Sequence, residues 1–90
     1  MISICHVNTT TILKHRDELL ARFSNCDVIS VNETNLKKER QFTLKGYNVF
    51  RNDREGKRGG GVLLAVKQHI PCREVLCKTS DGNELIAVQI

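Results

Sequence analysis

The stretch Asp27-Val28-Ile29-Ser30-Val31-Asn32-Glu33-Thr34-Asn35-Leu36 decides how the chain is read. Its first half is apolar and β-branched, the composition of a buried strand. The run stops in a polar cluster that carries one carboxylate, Glu33. Side chains alternate across a strand, so Ile29, Val31 and Glu33 are expected on one face. That face is apolar for two positions and acidic at the strand's end. In open α/β sheets ligands bind beyond the carboxyl ends of the strands, which makes Glu33 the first candidate for chemistry. The plainer reading is a solvated carboxylate at a strand end.

Upstream, Ile2 to Val7 reads as a short strand with Ile2, Ile4, His6 and Asn8 on one face. A polar stretch, Asn8-Thr9-Thr10-Thr11, follows, and a threonine there can cap a helix. Ile12, Arg16, Leu19, Leu20 and Phe23 then fall at helical spacing, with Lys14, Asp17, Glu18 and Arg22 mostly opposite. Glu18 and Arg22 form an i,i+4 pair. Strand, helix, strand normally closes as a right-handed parallel crossover. Both strands then end at the same edge, with Asn8 closing the first and Glu33 the second. The pattern alone brings an amide and a carboxylate to a place where one ion could meet both. On the residues alone Asn8 reads more readily as a turn or capping residue. His6 reads as a satisfied interior histidine rather than a ligand.

Downstream, Lys37 to Thr43 is a polar, basic connection. Tyr47 to Arg51 alternates like a strand, Asn52 to Gly60 is a charged loop, and Gly61 to Val66 is a strand apolar on both faces. These two strands are expected to pair as a hairpin across the long loop. Tyr47 and Phe50 read as core residues rather than stacking partners for bases. Arg73 to Lys78 and Glu84 to Ile90 flank Ser80-Asp81-Gly82-Asn83, a strong turn signal, and form a second hairpin. One helix is little cover for that much sheet, which suggests a fragment of a larger layered domain.

Ninety residues make one small domain, 1–90. A hydrophobic fraction of 40% and a charged fraction of 27% exclude a disordered chain. No apolar run approaches the roughly 18 residues a membrane span needs. The N-terminus lacks a secretory signal, so a nuclear or cytoplasmic setting is expected, not a secreted one. The net charge is +4, and basic residues outnumber acidic ones between Lys37 and Arg73, which favours an anionic partner such as nucleic acid. Cys5, Cys26, Cys72 and Cys77 match no zinc spacing and read as buried free thiols.

Four pieces in this order carry a resemblance. They are Ile4-Cys5-His6-Val7-Asn8, then Asp27 to Thr34 ending in Asn32-Glu33-Thr34, then Gly46-Tyr47-Asn48-Val49-Phe50-Arg51-Asn52-Asp53-Arg54, then Arg58-Gly59-Gly60-Gly61-Val62 continuing to Val66. Together they resemble the N-terminal half of the endonuclease/exonuclease/phosphatase superfamily. The likeness is to its apurinic-endonuclease-like branch, and within it to the endonuclease domains of non-LTR (LINE-type) retrotransposons. It covers nearly all of the chain and implies the first half of a four-layer α/β/β/α sandwich, DNase I-like. It implies that Glu33 binds a catalytic Mg²⁺ (or Mn²⁺) and that Asn8 lies beside the metal and the scissile phosphate. The implied partner is DNA, with a reverse-transcriptase domain downstream. Other branches act on phosphoesters of lipids or sugars, but the basic middle and the Arg58 to Val66 pattern point to DNA.

The chain departs from the family pattern at Val7, where an aromatic is usual, and at Thr9-Thr10-Thr11, where small residues or a second acid are usual. The family's catalytic Tyr, its Asp-x-Asn pair and its Asp-His pair have no counterpart in these 90 residues, and His6, His15 and His69 do not match the histidine position. The chain by itself is therefore expected to lack appreciable nuclease activity. Lys57 and Arg58 are candidate DNA-phosphate contacts, although a solvated loop explains them equally well. Gly59-Gly60-Gly61 lacks the P-loop pattern and reads as close backbone packing at a strand start. The alternative function is a non-enzymatic domain remnant or nucleic-acid-binding module.

Overall fold

The computed structural model describes residues 2–9, 11–54, 60–80 and 83–90. Strand β1 (Ile4–Asn8), helix α1 (Ile12–Phe23) and strand β2 (Val28–Asn32) form the expected crossover. β1 and β2 run parallel, with Ile4 opposite Val28 and Asn8 opposite Asn32. Strands β3 (Tyr47–Asn52) and β4 (Val62–Lys67) pair antiparallel, and β4 also pairs antiparallel with β2. The sheet order is β1-β2-β4-β3. Strands β5 (Arg73–Ser80) and β6 (Asn83–Gln89) make a separate two-stranded antiparallel sheet. The chain is thus a small mixed α/β domain. No helix among the described residues is long and apolar enough to cross a membrane.

The start of α1 departs from expectation. Thr11 holds the N-cap position in extended backbone but makes no side-chain cap bond. One orphan donor of the first turn is satisfied from elsewhere, because the Ile12 N–H donates to the Thr34 carbonyl at 3.1 Å. The helix entry is therefore tied to the loop that follows β2. At the other end Arg22 pairs with Glu18 at 3.2 Å and lies in the last turn, where a cation suits the helix dipole.

The sheet's two faces differ. Ile29, Val31, Leu63 and Ala65 are buried with Ile12 and Leu19 of α1, and Cys5, Val7, Leu20 and Phe23 pack around them. Full burial of one such aliphatic side chain is worth about 1.5–3 kcal/mol, which fixes this face as the core. On the opposite face Ile4 is 68% exposed, and His6 is also exposed. The reading of His6 as an interior histidine is corrected, since its Nδ1 lies 3.0 Å from the Ser30 hydroxyl on the open face. The cysteine reading is corrected too. All four are free, but Cys77 is exposed and the other three are half-buried.

The connection from β2 to β3 is not merely polar. Leu36, Phe42 and Leu44 are buried in the core beside Tyr47. Arg51 fastens this segment by donating from Nη2 to the carbonyls of Lys37 and Lys38, at 3.2 Å each, and of Arg40. Arg16 of α1 stands 5.8 Å from the centre of the Phe42 ring. The segment thus supplies cover that one helix could not. The β5–β6 hairpin meets β3 through Asn52, whose Nδ2 donates to the carbonyls of Lys78 (2.7 Å) and Leu85 (3.0 Å).

Two polar clamps hold the strands' other ends. The buried Tyr47 hydroxyl donates to the Cys26 carbonyl at 2.7 Å and reaches the Phe23 carbonyl at 3.1 Å, while burial pushes its pKa up. Tyr47→Phe removes the side-chain donor to Cys26, while the Phe23 carbonyl keeps its bond from the Cys26 N–H, and is expected to cost about 1–3 kcal/mol in a urea titration. A loss below the resolution of that titration would show that the bond contributes nothing net.

Asp27 forms the second clamp, with its Oδ2 accepting from the Ser3 N–H (3.0 Å) and the Ser3 hydroxyl (3.3 Å). The Ser3 amide holds the Asp27 carboxyl below its usual value of 3.8. A depressed folded pKa contributes stability that is present above the unfolded value and lost as pH falls through the folded one. Asp27→Ala is therefore expected to destabilise the fold at pH 7 and to lose that deficit by about pH 2, as thermal melts across that range would show. An equal deficit at both ends would contradict it.

Candidate functional site

The parallel pairing of β1 and β2 runs one residue past the strands. The Thr9 N–H donates to the Asn32 carbonyl at 3.0 Å. The buried Thr9 hydroxyl lies 3.2 Å from the carbonyls of both Asn32 and Glu33. The two carboxyl ends are therefore held side by side. Beyond Asn32 the chain leaves the strand, because Glu33 has φ +57° and Asn35 has φ +54°. Left-handed backbone costs a non-glycine residue about 1–2 kcal/mol, so packing must impose it here.

That packing comes from the start of β4. The Asn35 N–H donates to the Gly60 carbonyl at 2.8 Å, and the Thr34 N–H to the Gly61 carbonyl at 3.4 Å. In the reverse direction the Gly60 N–H donates to Glu33 Oε2 at 3.1 Å. The neighbouring Gly61 N–H donates to Glu84 Oε1 at 2.8 Å. Arg54 Nε lies 3.3 Å from each oxygen of Glu84. Gly60 and Gly61 have φ +75° and +91°. Their successive N–H groups each bind a different carboxylate, Glu33 at Gly60 and Glu84 at Gly61.

This geometry corrects the expectation that Glu33 shares a face with Ile29 and Val31. β2 ends at Asn32, and the left-handed turn re-aims the side chain. The end of β1 and the end of β2 are brought together as expected, and Asn8 stands opposite Asn32, one residue short of Glu33. Glu33 Oε2 is engaged on the β4 side of β2, while Asn8 is exposed on β1, beside a groove of about 320 Å³ between β1 and α1. No hydrogen bond joins the two among the described residues. Lys57, Arg58 and Gly59 lie outside the described residues.

Glu33 is exposed, and only its Oε2 has a hydrogen bond described above. An oxygen ligand on a strand end suits a hard divalent ion that keeps most of its waters. Among the described residues no group of three or more His, Cys, Asp or Glu side chains gathers to hold a metal ion. Of the residues the sequence singles out, Glu33 at the end of β2 and Asn8 at the end of the adjoining β1 are the oxygen-bearing side chains at this edge. Nearby, Asp53 pairs with Arg51 at 3.0 Å, and burial raises its carboxyl pKa against the lowering effect of Arg51.

Arg54 closes the Gly46 to Arg54 motif, but neither its pairing with Glu84 nor any role for Glu84 is marked in the sequence. A glutamate just after a turn signal looks solvated, and nothing in its spacing points to Gly61, 23 residues away. Comparison with known proteins adds no assignment, since no protein-family model and no curated protein matches the chain.

The contact between Gly61 and Thr34 is open to test. A Cβ on Gly61 would lie 2.5 Å from Thr34 Oγ1, a fully buried hydroxyl with no hydrogen-bond partner among the described residues. Gly61→Ala combines that clash with φ +91° and is expected to cost about 2–4 kcal/mol. Adding Thr34→Ala removes the clash and is expected to recover part of the loss in a double-mutant cycle. Strict additivity would place the strain elsewhere.

Proposed function

We propose that the chain is the N-terminal half of a Mg²⁺-dependent DNA endonuclease domain of the endonuclease/exonuclease/phosphatase superfamily, in its retrotransposon-like branch. The ordered motif set supports the reading. So does a helix-covered sheet with a second, two-stranded sheet meeting it through Asn52, an arrangement compatible with half of an α/β/β/α sandwich. The observation that carries it is Glu33, held by the Gly60 N–H at the carboxyl end of β2 beside the end of β1 that bears Asn8.

In this reading Glu33 would hold the Mg²⁺ or Mn²⁺ ion. The ion, when bound, supplies charge stabilisation to the scissile phosphate and its leaving oxygen. The chain's own residues do the rest. Glu33 offers one oxygen while the Gly60 N–H fixes the other, which orients the carboxylate before any ligand arrives. Asn8 offers a neutral amide that can orient water or a phosphate oxygen without competing for the cation's charge. The +4 net charge favours approach of a polyanion. Lys57 and Arg58 are proposed phosphate contacts.

One carboxylate and one amide do not activate a nucleophile and also stabilise a leaving group. Hydrolysis then needs groups beyond these 90 residues. The second reading, a nucleic-acid-binding module without activity, is favoured by the same basic charge and the same lone carboxylate.

Plasmid nicking in Mg²⁺ separates the two. The chain alone is expected to leave supercoiled plasmid intact. The chain continued through its reading frame to a full domain is expected to nick it. Glu33→Ala in that longer protein is expected to lower the rate at least ~100-fold, since changes even outside the ligand shell cost about 10–100-fold. Unimpaired nicking by the Glu33→Ala protein would remove the metal assignment.

A further inference from the structure

We propose that Glu84 is a positioning residue for Glu33, acting through the Gly60-Gly61 backbone. The proposal rests on the reading of Glu33 as the cation ligand given above. Three observations support it. Glu84 Oε1 accepts from the Gly61 N–H at 2.8 Å, and the adjacent Gly60 N–H donates to Glu33 Oε2 at 3.1 Å. A single peptide plane, that between Gly60 and Gly61, carries the Gly61 N–H and also the Gly60 carbonyl, which accepts from Asn35. Fixing that plane from the Glu84 side holds the acceptor of Asn35, two residues past Glu33, and one side of the Gly60 Cα whose N–H bonds Glu33.

The burial of Glu84 points the same way. Its side chain is only 5% exposed, and a carboxylate is costly to bury unless it is paired and hydrogen-bonded. Here both conditions hold, through Arg54 and the Gly61 N–H. Two glycines with positive φ are backbone that would otherwise sample many conformations. A buried, doubly bonded acceptor holds the Gly60–Gly61 peptide plane, and with Gly60 at φ +75° its N–H then faces Glu33. Glu84 is the second residue of β6, so the hairpin that lies farthest along the chain from Glu33 sets its orientation.

The test uses the 90-residue chain, with Mn²⁺ alone as the probe. Paramagnetic broadening of amide NMR signals gives the apparent affinity at Glu33, and amide hydrogen exchange at Gly60 reports the bond to it. In the unaltered chain, broadening centred on Glu33 is expected, and Glu33→Gln abolishes it. Glu84→Ala is expected to weaken Mn²⁺ binding about 10-fold or more and to speed exchange at Gly60. Glu84→Gln keeps an oxygen acceptor for Gly61 and is expected to restore most of the affinity. If Glu84→Ala does not fold, Glu84→Asp carries the test. It keeps the charge but withdraws the acceptor by one methylene, and weaker Mn²⁺ binding in a folded protein is the expected result.

Unchanged affinity at Glu33 in a folded Glu84→Ala or Glu84→Asp protein overturns the positioning role and leaves the Glu33 assignment standing. Absence of broadening at Glu33 in the unaltered chain overturns both.

Discussion

The carboxyl end of this sheet depends on the backbone of two glycines. Gly60 and Gly61 accept hydrogen bonds from Asn35 and Thr34 and donate to Glu33 and Glu84. Four segments that are remote in sequence meet there: the exit of β2, the entry to β4, the start of β6 and, through the Thr34 carbonyl, the first turn of α1. Only residues without a Cβ can approach so closely, since one on Gly61 would overlap the Thr34 hydroxyl. The left-handed conformations of Glu33 and Asn35 follow from these bonds, and the direction of the Glu33 carboxylate follows from those conformations.

The same contacts explain why a plain strand reading misjudged Glu33. Alternation along β2 is sound as far as Asn32, with Ile29 and Val31 fully buried. The carboxylate lies one residue beyond, where the sheet's period no longer applies. Its position at the strand end was legible; its direction was not, because the partner that sets it is 27 residues away.

The β-α-β start and the β3–β4 hairpin were legible because each has a clear period and turn residues at its ends. The cover over the core was less so. Leu36, Phe42 and Leu44 sit in an irregular segment among basic residues, and no period marks them. Their burial depends on Arg51 reaching back to carbonyls of that segment from β3. Glu84 was hidden for a similar reason: a carboxylate after a turn signals nothing until the fold supplies Gly61 and Arg54.

Glu33 Oε2 accepts from the Gly60 N–H, and in the proposed function the other carboxylate oxygen takes a hard cation. Anomalous scattering from crystals soaked in Mn²⁺ tests this most directly. The account predicts a manganese peak about 2.0–2.3 Å from a Glu33 carboxylate oxygen, the range expected of a small hard cation on oxygen. A well-occupied peak elsewhere, with Glu33 bound to Gly60 alone, would contradict it.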